Sequence, residues 1–261
     1  MQTNRFKAAL HAARQQIGIW SMLADSNVVE VLTQSAFDWI LIDTEHAANE
    51  LPMVQAQLRT AAQGNVSAVV RVASNDAVLF KRALDVGAQT LLVPMVDDAE
   101  AAQRAVRAMR YPPQGIRGVS LATRANRYGR DADYLNCAND EVCLVVQLES
   151  AEAMRNLEAI AAVPGVDALF VGPSDLAAAL GHLGNPKHPD VQRAIHDALT
   201  RAHTVGKPIG ILMTDPELAA RYIAMGFDFI ATATDIGILR SGAEHHLALA
   251  RAAALSANAT R

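Results

Sequence analysis

The chain has 261 residues, 51% of them hydrophobic, with 23 basic and 27 acidic residues that leave a net charge of −4. That length suits one barrel-sized domain over 1–261, with no basic tract for nucleic acid, no acidic tail, and no apolar run as long as a membrane span. Two cysteines, Cys137 and Cys143, exclude a disulfide framework or a Cys-rich zinc site; with no signal-peptide pattern at the N-terminus they fit a reduced, cytoplasmic protein.

Short apolar, β-branched runs alternate with Ala-rich amphipathic stretches along the whole chain. Strands are predicted at Ile17–Ser21, Trp39–Asp43, Ala68–Arg71, Thr90–Pro94, Val142–Gln147, Ala168–Val171, Pro208–Leu212 and Phe229–Ala233. Helices are predicted between them at Leu51–Gln63, Ala77–Val86, Ala99–Met109, Ala151–Ala161, Val191–Val205 and Pro216–Met225. The strands show little polar alternation, as expected where both faces are covered. Ala36-Phe37-Asp38, Gly165-Val166-Asp167 and Gly226-Phe227-Asp228 each sit just before a strand, with Gly87-Ala88-Gln89 a looser fourth copy. These repeats mark the bottom of a barrel and have a structural reading. Eight strands alternating with helices predict an α/β fold, a (β/α)8 barrel of the TIM type. An open doubly wound sheet is disfavoured because no G-x-G-x-x-G follows the first strand, so no nucleotide cofactor is expected. The stretch Tyr111–Asn139, with Arg117, Arg124, Arg127 and Arg130, is the longest break in the rhythm, and excursions of that length are often functional.

In this fold the polar residues that end strands are the first site candidates. Here they are Asp43-Thr44-Glu45-His46, Arg71, Gln147-Leu148-Glu149 and Gly172-Pro173-Ser174-Asp175. Glu149 and Asp175 end adjacent strands, and two rim carboxylates suit Mg2+ or Mn2+. A shared-proton acid pair, or two helix caps, is the plainer reading. His46, in a strand-to-helix loop, suits a general base, although loop histidines are also ordinary surface groups. Arg71 closes an apolar strand, where a guanidinium needs an anion. That anion is either a substrate carboxylate or enolate, or a structural partner such as Asp43 or Glu45. The four lysines, Lys7, Lys81, Lys187 and Lys207, all fall away from strand ends at the mouth, so no Schiff-base lysine is expected. Carbon–carbon chemistry would then need a metal electrophile.

The segments FDWILIDTEHAAN (37–49), KRALDVGAQTLLVPMV (81–96), RYPPQGIRGVS (110–120), LVVQLES (144–150) and VDALFVGPSDLAAALGHLGNPKHPDVQ (166–192) resemble the HpcH/HpaI class II pyruvate aldolases. The likeness runs over nearly the whole chain. It implies reversible cleavage of a 2-keto-4-hydroxy acid into pyruvate and an aldehyde. It also implies that Glu149 and Asp175 bind a divalent metal (Mg2+ or Mn2+, with Co2+ tolerated) and that His46 is the base, made more basic by Asp85. Arg71 would stabilise the enolate, and Gln147, Gly172 and Ser174 would contact pyruvate. Arg124 and Arg127 in the excursion are the candidate contacts for an acid-bearing aldehyde, the plainer reading being that they are solvated or bind a neighbouring subunit. Ser174 and the run FVGPSDLAAALGHLGN resemble the 2-dehydro-3-deoxyglucarate branch, giving tartronate semialdehyde, and that substrate type is the first expectation, with the branch that follows as its alternative. The run LDVGAQTLLVPMV resembles the 4-hydroxy-2-oxoheptanedioate branch, giving succinate semialdehyde. Thr44 and Ala48 depart from the family's usual glycine and proline. The resemblance further implies a homo-oligomer, a hexamer built as a trimer of dimers that exchange the last helix. A CoA-ester lyase or an inactive barrel scaffold are the remaining alternatives. On this reading His46→Ala and Arg71→Ala each lower turnover while folding survives.

Overall fold

The computed structural model describes residues 3–259. Its centre is a closed barrel of eight parallel strands, each bonded to the next and the last to the first. They are β1 (Gln16–Ser21), β2 (Trp39–Asp43), β3 (Ser67–Arg71), β4 (Thr90–Val93), β5 (Cys143–Leu148), β6 (Ala168–Val171), β7 (Ile209–Leu212) and β8 (Phe229–Thr234). All eight predicted strands are present, shifted by one or two residues at most. The helices before and between them are α1 (Arg5–His11), α2 (Ser26–Thr33), α3 (Leu51–Ala61), α4 (Ala77–Asp85), α5 (Ala99–Met109), α6 (Tyr134–Glu141), α7 (Ala151–Arg155) and α8 (Leu157–Ala161). After β6 come α9 (Pro173–Ala179), α10 (Pro189–Thr204), α11 (Pro216–Met225) and the long α12 (Asp235–Ala259).

The helix starts follow from local chemistry. Asp25, Asp76, Asp98, Ser150 and Asp215 each accept a backbone N–H of the first turn with the side chain. These bonds satisfy donors that a helix leaves open. The predicted helix over 151–161 is broken at Asn156, which donates its amide to the Asp97 carbonyl at 2.8 Å. Asparagine competes with the helix ladder in this way.

Two apolar layers result. Inside the barrel, Trp20, Trp39, Leu41, Val69, Leu92, Val145, Phe170 and Phe229 pack together, and α1 closes the bottom. Its Phe6 sits edge-on to Trp39 and Phe229, with ring centroids 5.7 and 5.3 Å away. The outer layer lies between the strands and the helix ring. Large inner rings need small neighbours: a Cβ on Gly18 would fall 2.2 Å from the Trp39 ring, and one on Gly210 would fall 2.3 Å from Phe229. The repeated aspartates lock the bottom, as the sequence suggested. Asp38, Asp167 and Asp228 accept the N–H of Ile17, Leu144 and Ile209 at 2.8–2.9 Å. Among the described residues, no helix is long and apolar enough to cross a membrane.

Candidate active site

The mouth of the barrel, at the C-terminal strand ends, gathers most of the expected residues. Register places Asp43 beside Arg71 on β2 and β3. Arg71 grips Asp43 with two prongs, Nε to Oδ1 at 2.8 Å and Nη2 to Oδ2 at 2.6 Å. Its third nitrogen, Nη1, lies 2.9 Å from Glu45 Oε2. The guanidinium also rests over the Trp20 ring at 4.9 Å, and Trp20 Nε1 donates to Asp43 Oδ2 at 3.2 Å. Both structural partners proposed for Arg71 are therefore real. Burial alone raises the Asp43 carboxyl, but the bonds and charge of Arg71 outweigh it and hold the group below its ordinary range. Asp43 also accepts the Glu45 N–H at 3.0 Å, which shapes the loop that presents His46. The His46 ring is 60% exposed, and its Nε2 lies 4.0 Å from Glu45 Oε2.

Across the mouth, β5 presents Gln147 and Glu149. Glu149 is buried, with Oε1 accepting the Met95 N–H at 2.8 Å and Oε2 accepting Gln147 Nε2 at 2.5 Å. Burial pushes its carboxyl up to about 7, against the pull of those two donors, and the charges of Asp175 and Glu45 add to the rise. Burial raises Glu45 as well; Arg71 and His46 oppose it, while Asp43 and Asp175 reinforce it. Asp175 is exposed on the first turn of α9, beside exposed Ser174. Gly172 is required: a Cβ there would stand 2.7 Å from Glu149 Oε2 and 3.2 Å from Gln147 Nε2. Gln147 Oε1 is buried without a protein partner.

This donor set fits a divalent cation. Glu149, Asp175 and Glu45 bring negative charge to one rim, and the burial of Glu149 and Glu45 resists that charge unless a cation is added. All are hard oxygen donors, matching Mg2+ or Mn2+.

Two expectations are corrected within one chain. Asp85 closes α4 at the opposite end of the barrel, where its Oδ1 accepts from Arg117 Nη2 at 2.9 Å. It cannot reach its own His46, because α4 runs from the mouth back to the bottom. Arg124 donates to the Val86 carbonyl at 2.9 Å and the Leu58 carbonyl at 3.3 Å, capping the ends of α4 and α3. The excursion that carries it connects α5 to β5, so it lies under the barrel rather than over the mouth. Arg124 lines a cleft of about 820 Å3 there, with Asn4, Gln89, Tyr128 and Tyr134.

Comparison with known proteins places the chain. The HpcH/HpaI aldolase/citrate lyase profile matches residues 16–242. The chain belongs to that family. Membership sets it among carbon–carbon lyases. It is 51% identical to a 4-hydroxy-2-oxo-heptane-1,7-dioate aldolase of Klebsiella pneumoniae over 98% of this chain and 96% of that one. It is 50% identical to a pyruvate aldolase of Rhizobium etli over 94% of this chain and 96% of the relative. A crystal structure of a family member from Burkholderia cenocepacia superposes with a TM-score of 0.93 at 40% identity, covering 95% of this chain and all of the other.

Sequence reasoning underrated Glu45, Met95 and Trp20. Glu45 was visible in the Asp-Thr-Glu-His run, but only as a partner of Arg71. Met95 takes a left-handed φ of 53°, which aims its N–H at Glu149, and no residue pattern announces that backbone.

Proposed function

We propose that this family member is a divalent-metal-dependent pyruvate aldolase acting on 2-keto-4-hydroxy diacids, with 4-hydroxy-2-oxoheptane-1,7-dioate-type substrates first. Succinate semialdehyde is then the aldehyde product. The observation that carries the reading is the buried Glu149 carboxylate, held by the Met95 N–H and Gln147 at a mouth that also holds Asp175, Glu45, Arg71 and His46. Relatives about 50% identical over nearly the full chain bear the heptanedioate and pyruvate aldolase names, which supports that substrate class over the glucarate type. Ser174, within the run FVGPSDLAAALGHLGN, favours the second reading, 2-dehydro-3-deoxyglucarate and tartronate semialdehyde.

Glu149 and Asp175 would hold the cation, Mg2+ or Mn2+ with Co2+ tolerated, and it supplies Lewis-acid stabilisation of negative charge at the substrate's C2 oxygen. His46 takes the proton of the C4 hydroxyl. The C3–C4 bond breaks, its electron pair passes to C3, and C4 leaves as the aldehyde carbonyl. The charge of the pyruvate enolate settles on the C2 oxygen, toward which Arg71 can turn a free N–H while Asp43 holds the guanidinium in place. Protonation at C3 completes pyruvate. Gln147, with an unused acceptor and the amide that steadies Glu149, and the small Gly172 leave room for the keto acid beside the carboxylates.

None of the four lysines stands in for the cation. Lys7 and Lys207 bind backbone carbonyls on the bottom face, Lys187 pairs with Asp215, and Lys81 lies on α4 against Gly118. The test is a lactate-dehydrogenase-coupled assay of pyruvate release from a panel of 2-keto-4-hydroxy acids. The heptanedioate should give the highest kcat/KM, and an absence of pyruvate from every member of the panel would refute the assignment.

A further inference from the structure

Outside the mouth, the loop between α9 and α10 gathers a different donor set. We propose that His182, His188 and Asp190 form a second metal site, separate from the carboxylate pair, for a first-row transition-metal dication of the Zn2+ type. Each of the three offers a ligand atom within 4.8 Å of the other two. His182 Nε2 lies 3.4 Å from Asp190 Oδ2, and His188 Nδ1 lies 3.8 Å from the same oxygen.

The loop is built to hold them. Gly181 and Gly184 take left-handed φ angles of 83° and 74°, which turn the chain twice within a few residues. The Asn185 N–H donates to the His182 carbonyl at 2.9 Å, the His188 N–H to the Asn185 carbonyl at 3.1 Å, and Gln192 Nε2 to the Pro186 carbonyl at 2.9 Å. The two imidazoles are brought face to face, centroids 3.5 Å apart and planes 14° from parallel.

Neighbouring charges leave the site open. Lys187 is drawn off to Asp215, 2.5 Å away. Arg193 bonds Asp190 through Oδ1, leaving Oδ2 toward the histidines. The Asp190 N–H donates to His188 Nδ1 at 3.2 Å, which puts that ring's lone pair on Nδ1 and its proton on Nε2; a cation would take the Nδ1 lone pair in place of this cap contact. Stacked rings cannot share an ion as they stand, since each lone pair lies in its own ring plane. Both rings are partly exposed, so one can turn about its Cβ–Cγ bond to bring the lone pairs together.

Donor chemistry then sorts the two sites. Two imidazoles and one carboxylate favour Zn2+, Ni2+ or Cu2+ over Mg2+, whereas the all-oxygen mouth favours Mg2+ or Mn2+. An ion here would clip the loop that leaves α9, the helix whose first turn carries Asp175. The inference does not rest on the aldolase reading.

The test is Zn2+ titration of chelator-stripped, full-length Glu149→Gln/Asp175→Asn protein against a chromophoric competitor at neutral pH, which reads this site without the mouth. One equivalent should bind. Adding His182→Asn and His188→Asn should abolish it. Asp190→Asn, which keeps both rings, should weaken it about tenfold or more and serves if the double variant does not fold. Zn2+ binding unchanged by these substitutions, or no stoichiometric binding by the parent, would overturn the site.

Discussion

Arg71 is committed to two carboxylates before any substrate arrives, and that changes what its removal does. Asp43 is fully buried, and Arg71→Ala would leave it charged and unpaired. The variant should lose about 3–5 kcal/mol of stability as well as turnover, read by chemical denaturation. The sequence alone suggested only that folding would survive. Arg71→Lys keeps the charge but cannot reproduce the two-pronged contact, so it should recover part of the stability and little of the rate. His46 contrasts with it: an exposed ring, so His46→Ala should cut kcat by about 10²–10⁴ and leave the melting temperature unchanged. Near-normal turnover in that variant would remove histidine from the role of base. Glu149 gives a pH signature. Its folded pKa of about 7 lies above the ordinary carboxylate value, so the metal-free folded state binds more protons than the unfolded chain between about 4.5 and 7. Stability of metal-free protein should therefore fall as pH rises through that window. Glu149→Gln should flatten the fall, and added Mn2+ should reverse it; an equal slope in both proteins would reject the assignment.

Strands and helices were legible because their signals are local and repeated. Apolar β-branched runs, aspartate caps and the glycine turns before strands each specify one element, and the barrel follows from alternating them eight times. At this scale Gly18→Ala is the sharpest check on the interior, since its Cβ would enter the Trp39 ring; a loss of about 1–3 kcal/mol or more is expected in denaturant unfolding. The mouth was equally legible, because strand-end polar residues can face only one way. Asp85 and Arg124 obey the same rule within one chain. Both follow helices, so both belong to the face opposite the mouth. Arg117, fully buried between Asp85, Tyr134 and the Tyr111 ring, shows what the excursion does instead: it packs a basic side chain beneath the barrel. The left-handed turn at Met95 had no local signal, since only the surrounding packing holds methionine there.

For the molecule as a whole, α12 carries the unfinished business. Ile236, Ile238, Leu239, Leu247, Leu249 and Leu255 are all exposed along this one helix. We propose that a second copy covers it, in line with the homohexamer and helix exchange that the family resemblance implies. Sedimentation should show a discrete multimer, with truncation of the helix after Gly242 giving smaller species; a monomer at micromolar concentration would refute this. Any part that Asp85 or Arg124 plays at a mouth would then belong to the mouth of a neighbouring subunit. The central claim is that paired rim carboxylates hold the cation on which cleavage depends. Its most direct measurement is pyruvate release from 4-hydroxy-2-oxoheptane-1,7-dioate by protein stripped with chelator and titrated back with Mn2+ or Mg2+. The stripped enzyme should be silent, one equivalent per subunit at the mouth should restore release, and Glu149→Gln should not respond. Full activity in the stripped protein, or full restoration in Glu149→Gln, would contradict the account.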